Sequence, residues 1–450
     1  MTERFSAREA IALATDEFSE LPVPIRMFKP DGPLSWQGYD DSRRRATTRT
    51  GEDESVVCGS AVIGATRAVL IAFEFGFLGG SLGERTGDRI EAAYTYAREH
   101  RLPVVSLVAT GGSRMQEGML ALTQLQRVAR QSALAREAGL PQLAVLRDPT
   151  TGGGWATLGA GADVTLALPG AQVGFAGSRV RPPGADPAAY TAEAQVAAGA
   201  VDAVVRPEEL RETLALWLGL LTSPSAKAVP PPPALGTPAL PATGWDAVQH
   251  ARSPERPRAA AYLDALFTRR AAISGDRCGG TDDGMLCGFG SGSGSGPGGR
   301  TVAYAAQCGT ATRPAGYRTA ARLIHLADRL GIPVLTLVDT PGAANDAEAE
   351  RQGAGSAIAD LFAAVATART PVTTLVIGEG GSGGALALAS PGNTWATPDS
   401  YFSVIAPELA AAILKRPASE VRATADHLRI RPQDLLDLGV IRGIVEYPGH

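Results

Sequence analysis

Displaced by 230 residues and laid on itself, this chain falls into register without a gap over a long stretch, and its glycine-rich turns coincide. Residues 102–107, Leu-Pro-Val-Val-Ser-Leu, land on 332–337, Ile-Pro-Val-Leu-Thr-Leu, so Pro103 meets Pro333, Thr110 meets Thr340 and Gly112 meets Gly342. Further along, 150–154 fall on 380–384 and 173–176 on 403–406. Such a period is far above the roughly 20–50 residues of solenoid repeats, so it signals a duplicated domain. At 450 residues the chain also exceeds the roughly 250–300 at which a single core stops growing. One fold built twice is therefore expected, and two glycine turns facing one another could make one shared active site.

Within each half the pattern reads as two strands and then a helix. Residues 56–57, 61–63 and 68–75 form apolar runs between Gly and charged turns, as in a strand meander. Residues 90–99 and 114–139 have helical periodicity, and 104–108 and 143–146 are short apolar runs of the kind buried in a sheet. Residues 1–50 are polar and read as a peripheral arm, with Arg43, Arg44 and Arg45 near Trp36 and Tyr39. The bland reading of the arginine triplet is a solvated helix face, set against a ligand contact. The proline-rich stretch 223–244 reads as an extended linker between the halves. A run of alternating Gly and Ser over 288–299 reads as a mobile hairpin loop between two strands.

Several function classes are excluded by composition. A formal net charge of -4 argues against a general affinity for nucleic acid or anionic lipid. No stretch approaches the roughly 20 apolar residues of a membrane span, and the opening residues lack the apolar core of a signal peptide, which points to the cytoplasm. The four cysteines, Cys58, Cys278, Cys287 and Cys308, form no CxxC pair, so no structural zinc and no disulfide framework is expected.

The chemistry is carried by glycine. Each half places two turns after buried strands: Thr110, Gly111, Gly112 and Thr151, Gly152, Gly153 in the first, then Thr340, Pro341, Gly342 and Gly381, Ser382, Gly383, Gly384 in the second. Gly111 to Gly152 and Gly342 to Gly383 are both separated by 41 positions. A glycine turn that opens a helix leaves its first amide N–H groups without intrahelical partners, where the helix dipole also favours negative charge. Two such turns converging form an oxyanion hole for an enolate or a tetrahedral intermediate. No histidine falls in these turns, and there is no G-x-S-x-G elbow, HExxH motif or Walker lysine. Ser382 replaces Gly152 in the register and has no histidine near it in sequence, which speaks against a nucleophilic role. Donors without a side-chain base suit a reaction whose substrate or cofactor brings its own base.

These residues resemble a known family. Residues 73–83, 109–117 with Gly111, Gly112 and Arg114, 148–154 and 174–180 closely resemble the beta subunit of the bacterial acetyl-CoA carboxylase carboxyltransferase. Residues 253–257, 339–343, 377–385 and 401–408 are similar to its alpha subunit. The resemblance implies an α/β fold of two tandem crotonase-like domains built from repeated ββα units: a beta-type domain over 1–222, the linker, and an alpha-type domain over 245–450. It implies transfer of a carboxyl group from carboxybiotin, held on a separate carrier protein, to the α carbon of an acyl-CoA. Gly152 and Gly153 on one side and Gly383 and Gly384 on the other are then the oxyanion donors. Gly79, Gly80, Ser81, Gly111, Gly112, Arg114, Gly342, Gly381 and Ser382 are then substrate-binding positions, and Arg85, Arg114 and Arg179 are candidates for the phosphates of CoA. The implied partners are a biotin carboxyl carrier protein, a biotin carboxylase and a second copy of the chain in a homodimer or larger assembly. No Met-Lys dipeptide accepts biotin here.

The chain also departs from the family pattern. The four-cysteine zinc ribbon that precedes many beta-type domains is not present, and a basic insertion of the alpha-type domain is reduced to 306–314. Ala344, Asn345 and Asp346 stand where a Tyr-Pro-Gly-like turn is usual. Two further functions stay open: a biotin-independent decarboxylase of a malonyl thioester, and a non-catalytic scaffold subunit of a carboxylase complex.

Overall fold

The computed structural model describes residues 4–292 and 299–447. The chain divides into two compact units, one of Met1–Thr222 with Arg277–Gly279, the other of Ser223–Asp276 with Gly280–His450. Each is an α/β unit built on one mixed, mainly parallel sheet.

In the first unit the strands are β1 (Glu17–Glu20), β2 (Val56–Ile63), β3 (Thr66–Phe73), β4 (Val104–Thr110), β5 (Gln142–Thr151), β6 (Val164–Ala167), β7 (Val173–Gly174) and β8 (Ala203–Val204). They lie in the order β1-β2-β3-β4-β5-β6-β8, with β7 pairing the end of β5. β1, β2 and β3 run antiparallel, and from β3 onward the pairing is parallel. Every residue of β4 is buried, which is why its sequence is a nearly unbroken apolar run rather than an alternation. The helices of this unit include α1 (Ala7–Ala14), α2 (Tyr39–Thr50), α3 (Glu84–Glu99) and α4 (Gly118–Glu137), and a further helix, Leu210–Leu221, packs on β2 and β3. α3 buries Thr86, Ile90, Ala93 and Ala97, one face of a 3.6-residue period.

The N-terminal arm is more than the peripheral segment its polarity suggests. It supplies the edge strand β1, whose Glu17 pairs with Val62, and it starts with a capping box in which Ser6 and Glu9 exchange hydrogen bonds at the head of α1. β1 reads Glu-Phe-Ser-Glu, too short and polar to be legible as a strand, and forms because β2 offers it an unpaired edge.

The second unit repeats the plan with β9 (Arg269–Ile273), β10 (Met285–Ser291), β11 (Thr301–Gln307), β12 (Val334–Thr340), β13 (Val372–Gly381), β14 (Thr394–Ala396), β15 (Tyr401–Ser403) and β16 (Gly443–Ile444). Its order is β9-β10-β11-β12-β13-β14-β16, with β15 on the end of β13. The repeat extends to irregularities: the pairing register breaks between Val108 and Thr110 in one sheet and between Val338 and Thr340 in the other. The helix Pro314–Leu330 has proline at its first turn and ends on Gly331 at φ +66°, the usual start and stop of an isolated helix. β10 and β11 form a hairpin, but the glycine-rich run is not all loop as expected: 288–291 pair with β11 as the end of β10, and 293–298 lie outside the described residues.

The proline-rich stretch contains no helix or strand over 223–243, as its composition dictates. It is nevertheless packed on the second unit. Val229 and Ala234 are buried in that core, the Thr373 hydroxyl donates to the Val229 carbonyl at 2.7 Å, and the Ala234 N–H donates to the Glu446 carbonyl at 3.0 Å. Among the described residues no helix is long and apolar enough to cross a membrane.

Candidate active site

In the first unit the two glycine turns meet at the end of the central strands. Gly112 at φ +106° follows β4, and Gly152 at φ +67° follows β5. A Cβ on Gly152 would stand 3.1 Å from the Gly112 Cα, so this approach requires bare backbone on both sides. Residues Gly152–Gly154 make one helical turn that runs into a π-helical turn, Trp155–Gly159.

The donors are not all free. The Gly152 N–H donates to the Phe175 carbonyl at 3.0 Å, so of the expected pair Gly152 and Gly153 only the latter keeps an uncommitted amide; Gly152 serves by shape. Gly153 is itself buried, with its α carbon covered by Leu125. The turn at 110–112 also differs from expectation. It does not open a helix, and its amides turn inward: Gly111 donates to the Gly79 carbonyl at 2.9 Å and Gly112 to the Thr110 hydroxyl at 3.0 Å. Gly80, at φ +61°, lies against Ala109, whose carbonyl a Cβ would meet at 2.1 Å, whereas Gly79 faces open space.

Arg114 corrects a second expectation. Its side chain is completely enclosed, so it does not reach a substrate phosphate. It pairs with Glu54, also completely enclosed, through Nη1 at 3.0 Å and through Nη2. Its Nε donates to the Ser81 hydroxyl at 3.1 Å, Nη2 to the Ser81 carbonyl at 2.7 Å, and Nη1 to the Tyr39 hydroxyl at 3.2 Å. The Tyr39 hydroxyl donates in turn to Glu117, which accepts the Glu84 N–H at 2.6 Å at the head of α3. One buried guanidinium thus ties the arm, the entry to β2, the turn at 79–83 and the start of α3. Burial opposes the charge on Glu54, and Arg114 outweighs it, holding the carboxyl at about 2. This network also explains why α4 starts at Gly118 rather than at Arg114: residues 114–117 are held in an extended and then 3-10 course, and Gly118 at φ +51° breaks the path.

The second unit presents the same construction with different side chains. The Gly342 N–H donates to the Thr340 hydroxyl at 3.1 Å, repeating Gly112 and Thr110. The Gly342 carbonyl accepts the Thr312 N–H at 3.1 Å, as the Gly112 carbonyl accepts that of Leu82 at 2.9 Å. After β13 comes the short helix Ser382–Leu386. A Cβ on Gly381 would meet the Pro341 carbonyl at 2.0 Å, and one on Gly384 the Ala343 nitrogen at 2.4 Å, so here too the turns interlock through bare backbone. Gly383 is the exception: it is exposed and has nothing within 4 Å of a built Cβ. Its amide and that of Gly384 lie in the first turn, beyond the reach of intrahelical carbonyls. Underneath, the Gly384 carbonyl accepts the Tyr317 hydroxyl at 3.1 Å and the Gln307 amide at 3.3 Å.

Sequence reasoning missed Glu54, Tyr39 and Glu117, which have no repeat partner of like chemistry. It also missed the roles of Thr110 and Thr340, whose coincidence in the repeat was the available signal. Arg179 is exposed on a 3-10 turn, Ser178–Val180, and Arg85 is half-buried in the first turn of α3.

Two tandem α/β units with glycine turns interlocked at the ends of their central parallel strands define a carboxyltransferase of crotonase-like fold. Residues 31–199 match the family described as carboxyl transferase domain, and 241–450 the one described as acetyl co-enzyme A carboxylase carboxyltransferase-like. The chain belongs to the acetyl-CoA carboxylase carboxyl transferase beta/alpha family. It is 37% identical over 449 residues to the subunits beta/alpha protein of Saccharopolyspora erythraea, covering 92% of this chain and 77% of that one. With the Salinispora tropica protein of the same description it shares 39% over 472 residues, covering 98% and 82%. Among solved structures, the transcarboxylase 12S hexamer with methylmalonyl-CoA superposes at a TM-score of 0.77 and 19% identity, covering 98% of this chain and 86% of that one. A single-chain, multi-domain long-chain acyl-CoA carboxylase superposes at 0.75 and 19% identity, covering 98% and 45%.

Proposed function

We propose that this chain moves a carboxyl group from carboxybiotin, on a separate carrier protein, to the α carbon of acetyl-CoA or a related acyl-CoA, giving malonyl-CoA or its homologue. The observation that carries the reading is the exposed Gly383, in the first turn of a helix at the end of a central strand with nothing near its α carbon, followed by the buried Gly384 in the same turn. Gly153 holds the equivalent position in the repeat, buried and with its α carbon covered by Leu125. Carboxybiotin supplies the carboxyl group and, once that is given up, the base for the α proton. The chain's own part is electrostatic. The Gly153 amide donates to one developing oxyanion and the Gly383 and Gly384 amides to the other, each donor contributing about 2.7–4 kcal/mol of transition-state stabilisation.

The reading includes a biotin carboxylase and carrier protein as partners, a role in supplying malonyl units for fatty acid synthesis, and the cytoplasm as its location. It also includes assembly with a second copy, supported by Met115, Met119 and Leu122, which stand exposed on and before the first turns of α4. The deciding experiment is the reverse reaction with malonyl-CoA, with and without biocytin. Turnover that requires biocytin is the expected result; carbon dioxide release that ignores biocytin would make the chain a decarboxylase, and silence of the complete reconstituted complex would leave it a scaffold.

A further inference from the structure

Tyr317 and Gln307 meet at a single carbonyl. In the second unit the Gly384 carbonyl accepts both the Tyr317 hydroxyl, at 3.1 Å, and Gln307 Nε2, at 3.3 Å. Both donors are fully buried, Tyr317 on the helix Pro314–Leu330 and Gln307 at the end of β11. Glycine at 384 is what admits the phenol, since a Cβ there would stand 2.6 Å from the Tyr317 oxygen. Burial pushes the Tyr317 hydroxyl well above its ordinary value, so it stays protonated and able to donate at neutral pH. Gln307 Nε2 donates to the Thr312 hydroxyl as well, at 3.1 Å, and that hydroxyl lies 3.5 Å from the one on Thr340, which accepts the Gly342 N–H. One buried chain of polar groups thus runs from the turn at 381–384 to the turn at 340–342.

Gln307 is costly as a purely structural residue. Its Oε1 is buried without a hydrogen bond, which destabilises the folded chain. The repeat shows that the scaffold forms without either side chain. Ala306 pairs with Leu337 as Ala72 pairs with Leu107, so Gln307 corresponds to Phe73; Tyr317, displaced by 230, corresponds to Gly87. Gly154, the counterpart of Gly384, has the Thr110 methyl against it instead of a donor. The pair therefore belongs to the second unit alone, where the exposed Gly383 lies.

Consecutive glycines present the amides of that turn, and glycine backbone is the most permissive of all. A donor stabilises developing charge best when it is already oriented as the charge forms. Two bonds on the next carbonyl of the same turn supply that restraint. We propose that Tyr317 and Gln307 are positioning residues, which clamp the Gly384 carbonyl and thereby hold the Gly383 and Gly384 amides in their donating orientation. This rests on the reading of those amides as oxyanion donors given above.

The test measures kcat and KM of the full chain in the biocytin-dependent reaction with malonyl-CoA, for the parent, Tyr317→Phe, Gln307→Met and the two combined. Each single replacement leaves the carbonyl one donor and should lower kcat on the order of tenfold, and the combined variant on the order of a hundredfold, with KM unchanged because the lost orientation matters in the transition state. Gln307→Met should melt no lower than the parent, because it removes the orphaned oxygen; a merely structural residue would lose stability and turnover together. Thr319→Val serves as the control on the same helix. Its buried hydroxyl donates to the Ala315 carbonyl at 2.8 Å, so the variant should lose stability and keep the kcat of the parent. Preserved kcat in the combined variant, a raised KM with kcat unchanged, or a fall in kcat that Thr319→Val reproduces overturns the clamp and spares the carboxyltransferase reading. A parent chain without biocytin-dependent turnover overturns both.

Discussion

Ser382 and Gly152 occupy the same place in the repeat and the same left-handed backbone, at φ +56° and +67°. For serine this region costs about 1 kcal/mol or more, because its Cβ crowds the following carbonyl. Ser382→Gly should therefore stabilise the chain by about 1 kcal/mol in urea unfolding. Ser382→Ala should keep full biocytin-dependent turnover, because neither role assigned to this turn uses the hydroxyl; loss of turnover in that variant would restore the nucleophile.

Gly383 and its neighbour Gly384 separate catalysis from folding. A methyl on Gly383 enters open space, so Gly383→Ala should melt within a few degrees of the parent while losing most of its turnover. A methyl on Gly384 would meet the Ala343 nitrogen at 2.4 Å and the Tyr317 hydroxyl at 2.6 Å. Gly384→Ala should therefore cost about 1–3 kcal/mol of stability from overpacking, read as a lower urea midpoint.

Thr110 and Thr340 should behave as a matched pair. Each hydroxyl accepts the glycine amide two residues on, and replacing it with the isosteric valine leaves that amide unsatisfied. Thr110→Val and Thr340→Val should each cost about 1–3 kcal/mol, and hydrogen exchange should quicken at Gly112 and Gly342 respectively.

Glu54 gives the chain an acid-sensitive joint. Its carboxyl, ordinarily at 4.5, is held at about 2 in the folded chain, so the folded state binds the proton less readily than the unfolded. The stabilisation is complete above the ordinary value and disappears as pH falls from there through about 2. Removing one partner alone, as in Arg114→Met, should cost about 3–5 kcal/mol, because it strands a buried charge. The double replacement Glu54→Gln with Arg114→Met should recover much of that loss and flatten the acid limb of a stability–pH profile.

The duplication, the buried strands, and the positions of the glycine turns were all legible in the amino-acid order. Each rests on local pattern: apolar runs bury, and glycine punctuates. The family was legible for the same reason, since residues 109–117 and 148–154 are contiguous motifs. Only tertiary structure decided which amides remain available. Gly152 and Gly153 look alike in sequence, yet the Phe175 carbonyl captures the first and not the second. Likewise, the enclosure of Arg114 depends on Glu54, which lies 60 residues earlier in the chain. Hydrogen-bond partners and burial are set by long-range packing, which periodicity does not encode; a motif therefore locates a turn without saying which of its groups face the substrate.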